Sequence, residues 1–542
     1  MTNAWSNFAA AASEDLATLD LSKGSISDVL TGPEAQLFAA STLPDFLPRQ
    51  RWFGAKDSAI KSVVLLPLGE LEPGKHALAA ADVTLAGETQ RYLLPLSALW
   101  DEAIVARATP FTPVLAKLDN AGQAGVLIDS AMDPQLATAL IDAMRAGISV
   151  TSESGQVLFE AGEGLAALGD LDEPRRLGAE QSNVSIAFGD KIILKLYRRL
   201  REGDQPDVEV ARFLTETGQY ANTPSFLGQI RHVTTGGGTT TLAAVFAFVP
   251  NQGDAWSFIT EALYQDLMRF GLDADGEKGS RGEAAFEDNL LIGGLLGRRT
   301  AELHKSLAAE TEERAFAVDP LSRADVLVWS SEAIVEAQAA LDQLDELMPS
   351  LPAGARVLAS EILQRRNQLI ERLGACVGMQ TSGGRSRIHG DYHLGQVLAT
   401  ADDFMIIDFE GEPRRTLKER QAKSSPLRDV AGMLRSFHYA AWTAIDRYQR
   451  LTGTNNVRER AEAWRQQVSE DFMSAYQEHI AGTPSYPQDP AFARALTEMF
   501  LLQKAIYEVG YELANRPDWV EIPLSGMRDL LHDDQSGGPT HE

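Results

Sequence analysis

The hydrophobic pattern changes period once, near Pro250, and that change limits the possible fold more than any other feature of the chain. Before it the apolar runs are short and strand-sized, at 62–66, 91–96, 192–197 and 242–249. Within that region Thr235-Gly236-Gly237-Gly238-Thr239 reads as a hairpin tip. After it apolar residues recur at the helical spacing over 288–308, 331–347, 357–373 and 491–515. Two short strand signals interrupt the helices, at 387–389 and 404–408, and the charged, Gly-containing segment 273–283 reads as a surface loop. Strands first and helices after predict an α+β chain rather than alternating βαβ units.

At 542 residues the chain has room for two to four domains. With 44% hydrophobic and 23% charged residues it has the composition of a folded globular protein. The net charge of −27 repels phosphate backbones and anionic lipid, so neither nucleic acid nor a membrane is expected as a partner. A single cysteine, Cys376, excludes a disulfide framework within the chain. The start Met1-Thr2-Asn3-Ala4-Trp5 lacks a basic stretch followed by an apolar core, and the expected location is cytoplasmic.

The strongest chemical signal is Ile388-His389-Gly390-Asp391-Tyr392-His393-Leu394-Gly395-Gln396, followed by Phe404-Met405-Ile406-Ile407-Asp408-Phe409-Glu410. Phosphoryl transfer needs a carboxylate that orients the acceptor hydroxyl and takes its proton, and oxygen ligands that hold Mg²⁺ on the phosphates of ATP. Protein kinases set that base five residues before an amide ligand and open a D-F-G turn with a second aspartate. Asp391 stands five residues before Gln396, and Asp408-Phe409 follows an apolar strand signal. Asp391 is the expected base, and Gln396, Asp408 and Glu410 the expected metal ligands. Gly390, Gln396 and Glu410 replace the Arg, Asn and Gly of protein kinases. The plain alternative has Asp391 capping a turn and Asp408 ending a strand. A rival reading makes His389, Asp391 and His393 a zinc site, which would need further ligands from histidines scattered elsewhere.

A kinase core also needs a strand lysine for the phosphates and a glutamate on the next helix to orient it. Residues 180–197 read as strand, Gly189-Asp190 turn and strand, with Lys195 near the end, and Glu209 follows in a helix starting at Pro206. The alternative is a snorkelling strand-edge lysine and a first-turn acid favoured by the helix dipole. Neither G-x-G-x-x-G nor Walker A is present, so Gln181, Ser182 and Asn183 are the expected phosphate cradle, acting through backbone N–H groups and short side chains.

Several long motifs resemble the bacterial maltokinases, relatives of the aminoglycoside phosphotransferase-like kinases. They are Arg51-Trp52-Phe53-Gly54, Gln181-Ser182-Asn183 with Leu194-Lys195-Leu196-Tyr197-Arg198-Arg199, the Asp391 and Asp408 motifs through Gly411-Glu412-Pro413, Pro426 through Ser436, and Tyr511 through Pro517. The resemblance implies a bilobal protein-kinase-like fold: a lead-in over 1–45, a cap subdomain over 46–110, an intermediate segment completing the N-lobe over 111–250, a helical C-lobe over 251–532 and a disordered tail over 533–542. It implies that ATP phosphorylates maltose to maltose 1-phosphate, feeding α-glucan synthesis from trehalose, with trehalose synthase as a possible partner. It places the 491–515 helix at the acceptor, where Lys504, Tyr507 and Tyr511 share one face, and assigns His389 to the acceptor as well. The alternative for that helix makes the two tyrosines core and Lys504 a surface residue. Trp52 is expected in the core of the cap, and Asp429 as a first-turn helix residue after Pro426. A kinase of the same fold acting on glucosamine or an aminoglycoside, and a pseudokinase-like binding module, remain the other readings at this stage.

Overall fold

Alternate residues of the first long strands enter different cores, and this organises the first half of the molecule. The computed structural model describes residues 16–22, 24–56, 58–100, 107–177, 183–273 and 281–532. The chain divides into two units, Met1–Ala211 with Pro224–Pro250, and Arg212–Thr223 with Asn251–Glu542. The expected tail and residues 274–280 of the expected surface loop lie outside the described residues.

In the first unit, β1 (Thr18–Asp20), β2 (Ser62–Glu72), β3 (His76–Thr84), β4 (Thr89–Trp100), β5 (Val114–Asn120) and β6 (Gln123–Asp129) form a sheet in the order β1-β5-β6-β4-β3-β2. On β3, Ala77, Ala79, Ala81 and Val83 enter one core, while Leu78 and Ala80 enter another. A strand with both faces buried reads as a continuous apolar run, as His76–Thr84 does. The first core is closed by chain from the lead-in: Ile26, Leu30, Phe38 and Leu43 pack there, after a helix (Ile26–Thr31) capped by Ser25. The lead-in expected over 1–45 thus contributes this helix and a strand of the sheet. That sheet runs on through Asp129, so the boundary expected at residue 110 falls between strands of one sheet.

The second core joins this sheet to a second one. β7 (Ser149–Ser152), β8 (Gly155–Ala161), β9 (Pro174–Arg176), β10 (Asn183–Phe188), β11 (Ile192–Tyr197), β13 (Phe226–Thr234) and β14 (Thr239–Ala247) lie in the order β7-β8-β13-β14-β11-β10-β9. Leu78 and Leu93 from the first sheet pack with Val184, Ile186, Leu194 and Val245 from the second. The Pro134–Ala146 helix contributes Leu136, Leu140 and Met144 to the same core. One strand passes from sheet to sheet: after β11 the chain continues as β12 (Arg199–Leu200), which pairs with β4. Arg198 sits at the crossing, 3% exposed. Its guanidinium donates to Asp129 Oδ2 (2.6 Å) and the Leu93 carbonyl (3.1 Å), and lies 4.5 Å from the Trp52 ring.

The second unit is mainly helical. Its long helices are Ala255–Asp273, Arg281–Leu307, Arg323–Leu347, Leu427–Thr452, Arg458–Ile480 and Pro490–Asn515. Short strand pairs, β15 (Asp319–Pro320) with β16 (Gly384–Arg385) and β17 (Val397–Ala399) with β18 (Phe404–Ile406), separate them. The helix expected over 357–373 breaks at Arg365, between Ala353–Gln364 and Arg366–Gly374. There Arg365 Nη1 donates to the Leu531 carbonyl at 3.4 Å, tying the break to the Glu521–His532 helix. No helix among the described residues is long and apolar enough to cross a membrane.

Candidate active site

The strand expected over 387–389 is not formed, because its backbone donors go elsewhere. His389 N–H and Gly390 N–H donate to Asp429 Oδ2 (2.7 Å) and Oδ1 (2.9 Å). Asp429 is therefore more than a first-turn acid: it fixes the loop that carries Asp391. It also accepts from His304 Nε2 at 3.2 Å, and the other nitrogen of His304 meets the Tyr476 hydroxyl at 2.9 Å. Burial pushes the Asp429 carboxyl upward, but the hydrogen bond and charge of His304 with the Gly390 N–H outweigh it and hold the group below its ordinary value.

Two glycines permit this packing. Gly390 has φ +83°, a conformation that disfavours any side chain. Gly432, in the Leu427–Thr452 helix, lies so close to the loop that a Cβ would stand 2.5 Å from the Tyr392 carbonyl oxygen. His389, expected at the acceptor, is instead buried behind the loop. Its Nε2 pairs with the Ile407 carbonyl (2.9 Å), its Nδ1 accepts from Asp391 N–H (3.4 Å), and its ring packs against Tyr392 and Phe409. With both nitrogens engaged in the protein, it supplies no ligand to the rival zinc site. His393 Nδ1 accepts from Gly395 N–H at 3.0 Å, so its Nε2 carries the proton of the neutral ring. That Nε2 lies 4.0 Å from Asp391 Oδ2, and Lys504 Nζ lies 3.8 Å from Asp391 Oδ1. Burial lowers the pKa of His393 and favours the neutral ring, although the Asp391 charge opposes this.

Beyond the loop, Ile407 N–H donates to the Gln396 carbonyl at 3.0 Å, joining the two acidic motifs across the β17–β18 hairpin. Asp408 follows with φ +66°, a left-handed conformation that costs a non-glycine residue about 1 to 3 kcal/mol. Carboxylate oxygens of Asp408 and Glu410 lie within 4.8 Å of each other. Two hard oxygen donors at that spacing, one on a strained backbone, fit a divalent cation such as Mg²⁺.

In the first unit, Lys195 lies in the middle of its sheet, opposite Ser185 on β10 and Ala244 on β14. Its Nζ meets Asp207 Oδ2 at 2.9 Å, and the Tyr197 hydroxyl donates to the same oxygen at 3.0 Å. Asp207 stands in the first turn of the Pro206–Glu216 helix, which also carries Glu209, the partner expected for Lys195. Of the expected phosphate cradle, Gln181 and Ser182 lie outside the described residues, and Asn183 begins β10, buried and paired with Tyr197.

Asp391 opens into a pocket within the helical unit. Lys504 and Tyr507 line it, as expected of that helix face; Tyr511 is not among the lining residues and instead stacks on Tyr507 at 6.4 Å. The other lining side chains include Glu336, Glu412, Arg415, Arg428 and Gln503, none of which was given a role from sequence. Arg415 Nε donates to Glu412 Oε2 at 2.7 Å. Arg428 donates to Gln503 Oε1 (3.2 Å), whose amide donates to Glu336 Oε2 (2.9 Å). Burial pushes Arg428 down to about 10. The wall thus carries four acids, Glu336, Asp391, Glu412 and Asp429, and three bases, Arg415, Arg428 and Lys504.

Comparison with known proteins agrees with this architecture. Residues 46–145 match the maltokinase N-terminal cap domain. Glucosamine kinase of Streptacidiphilus jiangxiensis is 24% identical over 359 residues, covering 66% of this chain and 73% of that protein. Glucosamine kinase of Mycolicibacterium smegmatis is 24% identical over 381 residues, 67% of this chain and 80% of that one. The solved structure of glucosamine kinase with glucosamine, ADP and inorganic phosphate superposes with a TM-score of 0.63 at 21% identity, over 92% of this chain and 99% of that one. The chain carries a maltokinase-type N-terminal cap on a kinase-like fold with a strand-rich N-lobe and a helical C-terminal region.

Proposed function

We propose that the chain is an ATP-dependent kinase that phosphorylates maltose at its anomeric hydroxyl, giving maltose 1-phosphate and ADP. The observation that carries this reading is the cavity at Asp391, whose charged wall groups are engaged with one another and with amide groups, which suits a neutral polyhydroxylated acceptor. Each carboxylate on its wall already has a cation or an amide donor, so an acceptor ammonium would find no unmatched acid. The maltokinase cap match and the motifs shared with that family point the same way.

In this reading Asp391 orients the acceptor hydroxyl and takes its proton as the γ-phosphoryl group leaves ADP. Lys504 and the His393 N–H flank Asp391 and aim it. Lys195, steadied by Asp207, holds the nucleotide phosphates, and Gln181, Ser182 and Asn183 serve as their cradle. Asp408, Glu410 and Gln396 would hold Mg²⁺, which neutralises phosphate charge when bound. Lys504 and Tyr507 contact the sugar, and Tyr511 supports Tyr507.

Glucosamine is the second reading, favoured by relatives named glucosamine kinase along most of the chain. An ADP-release screen over maltose, glucose, glucosamine and aminoglycosides separates the two. Maltose is expected to turn over fastest; release with glucosamine and none with maltose overturns the maltose assignment.

A further inference from the structure

The β17–β18 hairpin leads into Asp408, and its outer edge is held by a residue with no part in the chemistry, Asn222. β18 pairs with β17 on one side, Phe404 opposite Ala399 and Ile406 opposite Val397. On the other side Asn222 takes the place of a neighbouring strand. Its carbonyl accepts the Ile406 N–H at 2.8 Å, and its side-chain amide donates to the Phe404 carbonyl at 3.0 Å. The same nitrogen donates to Asp403 Oδ2 at 3.1 Å. Both side-chain partners are acceptors, so the amide nitrogen must face the hairpin.

The stretch that carries Asn222, Arg212–Thr223, is itself fixed within the helical unit. Arg212 pairs with Glu313 at 2.8 Å, and the Tyr220 hydroxyl donates to the Arg299 carbonyl at 3.0 Å. Phe213 stacks on Phe316 with ring centres 3.9 Å apart, and both side chains are fully buried. The hairpin turn is gripped as well. The Arg299 guanidinium donates to both oxygens of Asp403, at 2.8 and 2.6 Å, and the Thr400 hydroxyl accepts the Asp403 N–H at 3.1 Å. A hairpin of three-residue strands is too short to set its own geometry. Two residues past Ile406 the backbone nevertheless turns left-handed at Asp408, a conformation that persists only where the surroundings impose it. Asn222 fixes the last strand residue before that turn.

We propose that Asn222 is a positioning residue for Asp408, acting through β18 rather than by contact with metal or substrate. The inference rests on the kinase reading, in which Asp408 holds Mg²⁺ on the nucleotide phosphates. The role needs an amide: a carboxylate of the same shape has no hydrogen to give to the Phe404 carbonyl or to Asp403.

The test is calorimetric titration of ADP into the full chain, with and without Mg²⁺. The proteins are the wild type, Asn222→Ala, Asn222→Asp and, as the reference for complete loss, Asp408→Ala. Asn222→Asp keeps the shape and the backbone acceptor while removing the donor, and a thermal melt checks that each variant is folded. Mg²⁺ is expected to tighten ADP binding to the wild type. Both Asn222 variants should lose at least about tenfold of that gain, with the Mg²⁺-free affinity unchanged. A purely structural asparagine would lower the melting temperature and leave the gain alone. A gain intact in either folded variant, or an equal loss with and without Mg²⁺, overturns the positioning role and leaves the kinase reading standing. No gain in the wild type removes Mg²⁺ from the kinase reading, and the role of Asn222 with it.

Discussion

Asp391 is placed by contacts that leave its carboxylate little else to do. Its loop is clamped by Asp429, its side chain is 20% exposed, and Lys504 and His393 flank its two oxygens. With Asp391 as the proposed base, Asp391→Asn should lower kcat at least about a hundredfold with little change in ATP affinity, since it would remove the proton acceptor and spare the phosphate contacts. Near-normal turnover of the folded variant would remove Asp391 as base. Lys195 and Asp207 make a comparable unit, 13% and 6% exposed. Lys195→Met and Asp207→Asn should each raise the KM for ATP, and the double variant should lose less than the sum of the two. Additive losses in steady-state kinetics would show that the pair does not act together. The motifs around Asp391, Lys195 and Asp408 stand out in the sequence because each is local. Glu336 and Gln503 were not: they meet across 167 positions, and no spacing rule spans that distance.

At the scale of elements, boundaries were readable where one physical signal dominates. β11 occupies 192–197 as expected, an apolar run closed by the Gly189-Asp190 turn. The Leu427–Thr452 helix is harder to read, because its buried face carries Asp429, Arg435, Ser436 and His438 among the apolar residues. Asp429 and Ser436 accept backbone N–H groups of the loop, from His389, Gly390 and Leu394, and Arg435 pairs with Glu508. The same helix gives a sharp prediction. Gly432→Ala puts a methyl group 2.5 Å from the Tyr392 carbonyl oxygen, too close for loop and helix to keep their places. It should cut kcat by about tenfold or more, since a shift of about 1 Å at a reacting group is costly. Unchanged kcat, measured with saturating substrates, would mean that the loop has slack the packing does not suggest.

At the scale of the molecule, the two sheets of the first unit share one core, and the strand of Lys195 runs on into the cap sheet through Arg198. The cap motif containing Trp52 and the strand motif containing Arg198 are about 145 positions apart in the chain and meet as a ring under a guanidinium, 4.5 Å away. Both motifs belong to the family resemblance, but the cap boundary it implies at residue 110 divides one sheet, because nothing local marks which neighbour a strand will choose. Asp129→Ala leaves Arg198 buried without its carboxylate and should destabilise the first unit by about 3 to 5 kcal/mol. Urea denaturation followed by tryptophan fluorescence measures this, and a loss below about 1 kcal/mol would mean that the pair does not hold the crossing. The account as a whole stands on what is transferred and to which atom. Following ATP and maltose by ³¹P and ¹H NMR with wild-type protein and Mg²⁺ reads this directly. A new phosphate resonance coupled to the anomeric proton of maltose, absent with Asp391→Asn, is the predicted result. Phosphate appearing on glucosamine but not on maltose, or undiminished product from the variant, would contradict it.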